Sequence, residues 1–154
     1  MGTITEILIV EDDFGFRDTL EDVLVEEGYS VSVARDGSEA LARLPQLRRP
    51  VLILLDLQMP VMDGVTFLHH LRQRPRAEDF EVVVMSAGVS PEWLATAPGV
   101  VRALKKPFDL GEIVTLCAEF AERHWRRSGS ARNTTGEPTA FVDGSAAPPS
   151  APEE

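Results

Sequence analysis

Five short apolar runs, each followed by a helix-period segment or a turn, constrain this chain more than any other feature of it. The most telling is Val51-Leu52-Ile53-Leu54-Leu55, bulky and unbroken, which stops abruptly on Asp56. A strand with one wet face alternates polar and apolar positions, whereas an unbroken Val/Ile/Leu run marks an inner strand of a parallel sheet covered on both faces. Ile7-Leu8-Ile9-Val10 reads the same way, and so does Glu81-Val82-Val83-Val84-Met85, which ends on Ser86. Tyr29, Val31 and Val33 alternate, as a strand near a sheet edge does. Val100-Val101-Arg102-Ala103-Leu104 predicts a fifth strand, ending at Lys105-Lys106-Pro107.

Helical stripes lie between the strands. Phe16, Leu20, Val23 and Leu24 fall at i, i+4, i+7 and i+8, and Gly28 stops that run. Asp36-Gly37-Ser38 opens a second helix, with Ala40, Leu41 and Leu44 on its apolar face before Pro45. A loop holding Pro60 and Gly64 leads into Val65, Leu68 and Leu71. Pro91 to Ala97 has room for one or two helical turns. Ile113, Val114, Cys117, Phe120, Ala121 and His124 stripe the last helix. Strand and helix thus alternate five times, which predicts an α/β fold: a doubly wound, five-stranded parallel (βα)5 sheet with right-handed crossovers.

That pattern fills residues 1–127, taken as one domain. From Ser128 the character changes. Of the 27 residues 128–154, 19 are Gly, Ala, Ser, Thr or Pro, and only Phe141 and Val142 are bulky and apolar. Such a stretch buries too little surface to offset its ordering entropy, so 128–154 is expected to be a disordered tail rather than an output domain.

Charge and composition exclude several functions. Net charge is −10, and the basic clusters Arg72/Arg74/Arg76 and Arg123/Arg126/Arg127 sit near helix C-termini, where cations complement the dipole. No direct nucleic-acid binding is expected of such a surface. No apolar run approaches the roughly 20 residues of a membrane span, and no signal peptide is visible, so a cytoplasmic protein is expected. One cysteine, Cys117, allows no internal disulfide and fits a core thiol. His69 and His70 lack a matching ligand pair and read as surface residues; Trp93 and Trp125 read as partly packed.

In open parallel sheets, functional residues gather beyond the carboxyl ends of the strands. Those positions hold Glu11-Asp12-Asp13, Asp56, Ser86 and Lys106. Carboxylates crowded there repel each other, at about 4 kcal/mol for a pair 4 Å apart in an effective dielectric of 20. A divalent cation, a lysine or both must offset that. All-oxygen ligands favour a hard ion, and Mg²⁺ takes only one or two carboxylates and keeps several waters. Lys106 supplies a point charge, and Ser86 a hydroxyl that can donate to a phosphoryl oxygen. The set suits a carboxylate that accepts phosphoryl.

Four segments carry a family resemblance: Ile7-Leu8-Ile9-Val10-Glu11-Asp12-Asp13, Leu55-Asp56-Leu57-Gln58-Met59-Pro60-Val61-Met62-Asp63-Gly64, Ser86-Ala87 and Lys106-Pro107-Phe108. Together, over roughly Glu6 to Arg127, the chain resembles the CheY-like receiver domains of bacterial two-component response regulators. The resemblance implies a flavodoxin-like topology and a phosphorelay switch that is not an enzyme in the ordinary sense. It places the phosphoacceptor at Asp56, assisted by Lys106 and Ser86. The Mg²⁺ ligands would be Asp12, Glu11 (partly through water), Asp56 and the backbone carbonyl of Gln58. It implies a cis bond between Lys106 and Pro107, and leaves Asp13 outside the metal site. Implied partners are a sensor histidine kinase or histidine phosphotransfer protein and a downstream protein target, with the chain a monomer or weak dimer.

Two departures from the family concern readout. The position three before Lys106, usually Tyr or Phe, is Ala103, and the stretch from Ser86 to Lys106 is about two residues short. Other classes fit worse. An aspartyl phosphohydrolase would have a second acid where Gln58 stands, and a flavin-binding relative would need a small-residue phosphate loop in place of Glu11-Asp12-Asp13. The remaining alternative is a degenerate receiver that binds a partner without being phosphorylated.

Overall fold

The computed structural model describes residues 4–88 and 91–135, with the backbone alone over 126–135. They divide into two units, Ile4–Cys117 and a second that begins at Ala118. The first holds β1 (Glu6–Val10), α1 (Phe14–Glu26), β2 (Ser30–Ala34), α2 (Gly37–Arg43), β3 (Val51–Asp56), α3 (Gly64–Arg72), β4 (Phe80–Ser86) and β5 (Val100–Lys105). The last helix, α4 (Leu110–Thr135), starts there and supplies the described part of the second unit. Every strand pair is parallel, in the order β2-β1-β3-β4-β5. This is the expected five-stranded sheet, with the alternating Tyr29–Val33 segment at one edge.

All six residues of β3 are buried, as its unbroken apolar run requires. Leu8, Val10, Ile53, Leu55, Val82 and Val84 share one core cluster with Ala40, Phe67, Leu71 and Leu94. Ile7, Ile9, Leu52, Leu54, Val83 and Met85, at the alternate positions, are equally inaccessible. Each such side chain contributes about 1.5–3 kcal/mol on burial. Aspartates start the helices: Asp13, Asp36 and Asp63 accept from the backbone N–H three residues on, in α1, α2 and α3. Gly28, with φ of 97°, turns the chain out of α1 at the predicted place.

The one or two helical turns expected between Pro91 and Ala97 take the form of a 3₁₀ segment, Glu92–Thr96. Six residues separate Pro91 from Pro98, so the costly first turn of an α-helix would have little propagation to offset it, and Pro98 holds Ala97 extended. With so short a crossover, β5 is fully buried only at Leu104. The last helix also continues past Arg127 to Thr135, each further residue adding one hydrogen bond to a helix already nucleated. The rest of the expected tail, 136–154 with Phe141 and Val142, lies outside the described residues. No described helix is long and apolar enough to cross a membrane.

Candidate functional site

Because all five strands run the same way, their carboxyl ends open on one edge, and three of them deliver the predicted acids and base. The turn after β1 carries Glu11 and Asp12, β3 ends on Asp56, and Lys106 follows β5. One carboxylate oxygen each from Glu11, Asp12 and Asp56 lies within 4.8 Å of the others. Asp12 is exposed, while Glu11 and Asp56 are only 1% and 4% accessible. Two buried carboxylates at such range need partners, and the fold provides them.

Glu11 is the more fully engaged. Its Oε1 accepts from Lys106 Nζ at 2.8 Å and its Oε2 from the backbone N–H of Asp13 at 3.1 Å. Arg17 also fixes this turn by donating to the Glu11 carbonyl at 2.8 Å. Asp56 accepts a 3.2 Å bond from the N–H of Gln58 and stands 3.8 Å from Lys106 Nζ. Burial, followed by the charge of Glu11, pushes the Asp56 carboxyl up to about 7; the Gln58 N–H and Lys106 pull the other way and lose. The lysine therefore sits between two acids but nearer Glu11, a division the sequence did not indicate.

Ser86, buried at the end of β4, turns its hydroxyl to its own loop: Oγ donates to the Gly88 carbonyl and accepts from the Gly88 N–H, at 3.2 and 3.3 Å. Its carbonyl takes the N–H of Lys106 at 2.7 Å, which ties the ends of β4 and β5 together. Gln58 is exposed in the loop after β3. Asp13 caps α1, consistent with its being left out of the acidic set. Lys105 is exposed, the Lys106–Pro107 bond is cis, and Cys117 is buried with its thiol pushed up to about 12 by burial.

The loop after β3 is held close to its own strand. A Cβ on Gly64 would stand 2.5 Å from the Asp56 carbonyl and 2.7 Å from Leu57 Cα, so only glycine lets α3 start there. Two residues that sequence reasoning placed only on a helical stripe or in a motif also reach the site. Phe16, in the first turn of α1, puts its ring 4.8 Å from Lys106 Nζ, and Phe108 meets that ring edge-on at 5.7 Å. An aromatic two residues after Lys106 was the one available signal.

The chain resembles known proteins in both sequence and fold. The family model for the response regulator receiver domain matches residues 7–118. Sporulation initiation phosphotransferase F of Bacillus subtilis (strain 168) is 36% identical over 110 residues, covering 70% of this chain and 86% of that protein. Response regulator MprA of Mycobacterium sp. (strain KMS) is also 36% identical over 110 residues, but they make up only 46% of its length. Among solved structures, the chemotaxis response regulator CheY4 of Vibrio cholerae superposes with a TM-score of 0.67 at 29% identity, covering 76% of this chain and 98% of that one. A CheY-like receiver domain protein from Methanospirillum hungatei JF-1 gives 0.69 at 25% identity, over 81% of this chain and 99% of its own.

Proposed function

Since the chain belongs to the response regulator receiver family, signalling modules of two-component phosphorelays, we propose that it is a phosphoacceptor switch and that Asp56 takes the phosphoryl group. The observation that carries this is the convergence of the Glu11, Asp12 and Asp56 carboxylates within 4.8 Å, with Lys106 Nζ 2.8 Å from one and 3.8 Å from another.

An oxygen of Asp56 attacks the phosphorus of a phosphohistidine on a sensor kinase or phosphotransfer protein. The P–N bond breaks, the imidazole leaves with the electron pair, and an acyl phosphate forms. Lys106 is placed to meet the charge that develops on the phosphoryl oxygens, and the Ser86 hydroxyl can leave Gly88 to donate to one of them. Asp12, Glu11, Asp56 and the Gln58 carbonyl would hold Mg²⁺: an all-oxygen donor set, with Asp12 open to solvent, suits a hard ion that keeps waters. When bound, the ion supplies charge neutralisation for the phosphoryl oxygens and favours the ionised form of Asp56. The acyl phosphate adds a charge of about −1.5 to −2 and biases a surface read by a protein target. The relative from B. subtilis, named a phosphotransferase, supports a relay role.

Incubation with a small phosphodonor and Mg²⁺ should add one base-labile acyl phosphate, and Asp56→Asn should abolish it. Equal labelling of the Asn variant sinks the assignment. A wild-type chain that never labels is instead a phosphorylation-independent binding module.

A further inference from the structure

We propose that Phe16 is a positioning residue for Lys106: its ring face holds the ammonium in the pocket while the lysine changes partners. The inference deepens the phosphoacceptor reading and rests on it.

Lys106 has three N–H donors and two carboxylates before it, at 2.8 Å from Glu11 and 3.8 Å from Asp56. Both are acids that the proposed reaction recruits. Charge added at Asp56 draws the ammonium toward it, and the bond to Glu11 must lengthen. An anchor that is neither an acid nor a metal ligand would keep the lysine from leaving during that exchange. The Phe16 ring is such an anchor. Its centroid is 4.8 Å from Nζ, within the roughly 6 Å over which a cation feels a ring quadrupole.

The ring is itself fixed from two sides. Its backbone N–H donates to Asp13 Oδ1 at 3.1 Å, which locks the first turn of α1. Phe108 packs against it with planes 72° apart, an edge-to-face arrangement that leaves little freedom to tilt. Phe108 is only two residues from Lys106, so one short segment brings both the cation and the brace for its ring. A purely structural Phe16 would need only apolar bulk here; a positioning Phe16 needs a π face.

Conservative variants of the full chain separate the two. Phe16→Leu keeps apolar volume and removes the face; Phe16→Trp keeps the face. Only Lys105 and Lys106 are lysines, so selectively labelled lysine gives two ε-methylene signals, assigned with Lys106→Arg. In the wild-type chain one should be shifted upfield by the ring, and Phe16→Leu should return it to the position of the other. With a small phosphodonor and Mg²⁺, Phe16→Leu should lower the maximal phosphorylation rate by about two- to five-fold at unchanged donor KM. Phe16→Trp should restore it.

An ε-methylene that does not move in Phe16→Leu overturns the proposal, as does an unchanged rate. Equal loss in the Leu and Trp variants overturns it too, because that is the signature of shape alone. If the wild-type chain takes no phosphoryl group, the parent reading fails, and the NMR arm alone decides whether the ring holds the lysine.

Discussion

Val61 has φ of 67° and is 85% exposed, so a β-branched residue sits in the left-handed region while burying almost nothing. That conformation costs a non-glycine residue about 1–2 kcal/mol, against about 0.5–1 kcal/mol of extra chain entropy that glycine loses on folding. Val61→Gly should therefore raise stability by about 0.5–1 kcal/mol, read from urea unfolding; a destabilised variant would show that the side chain makes a contact of value. Asp56 carries a second prediction at this scale. Its carboxyl is raised from 3.8 to about 7, by burial first and the charge of Glu11 second. The folded chain thus binds this proton more tightly than the unfolded chain, so unfolding releases it between those values and stability falls as pH rises through the window. In chelator, Asp56→Asn should flatten that slope and raise the melting temperature most at pH 8. A slope identical to wild type would place the pH dependence on another group.

At the scale of elements, the described crossover between β4 and β5 is a 3₁₀ segment, Glu92–Thr96, where the other crossovers carry α-helices. The backbone bonds of its 3₁₀ segment include Leu94 N–H to Pro91 and Ala97 N–H to Leu94, and Leu94 is its one buried side chain. Leu94→Ala should cost about 2–5 kcal/mol, as truncation of a core leucine does, and free the segment. Ala103 bears on how phosphate is read out. A methyl in place of a ring cannot fill or vacate a ring-sized space, so movement should fall on the loop and the 3₁₀ segment. Hydrogen exchange with and without beryllofluoride, a phosphate mimic, should show its largest change in 86–100. A response confined to β5 and the start of α4 would contradict this. The shortened helix was legible in Pro91 and Pro98, which cannot both flank a long α-helix. The continuation of α4 past Arg127 was not, because small and polar residues signal a stop more weakly than the hydrogen-bond ladder signals continuation.

For the whole molecule, the uneven distribution of apolar residues sets the expectation. Residues 136–154 include only Phe141 and Val142 as bulky apolar side chains. Deleting 136–154 should leave the melting temperature unchanged within error, because that composition offers little surface to bury. A drop of several degrees would mean that Phe141 and Val142 contribute to the fold. Three carboxylates converge within 4.8 Å at the sheet edge, so millimolar Mg²⁺ should raise the melting temperature of the wild-type chain and raise that of Asp12→Ala less.

The strands, the parallel sheet and the set of residues at its carboxyl edge follow from local patterns along the chain. Unbroken runs such as Val51–Leu55 are local signals, and a parallel sheet delivers whatever follows each strand to the same edge. Glu11, Asp12, Asp56, Ser86 and Lys106 were therefore legible as a group without any distance being known. How they divide among themselves is settled by packing between elements far apart in the chain. Lys106 bonds to Glu11, 95 residues away, more closely than to Asp56. Ser86 turns to Gly88, and the ring of Phe16 comes to rest over the ammonium. These outcomes depend on distances of a few ångströms between side chains from different strands and helices, and no periodicity along a single chain encodes them.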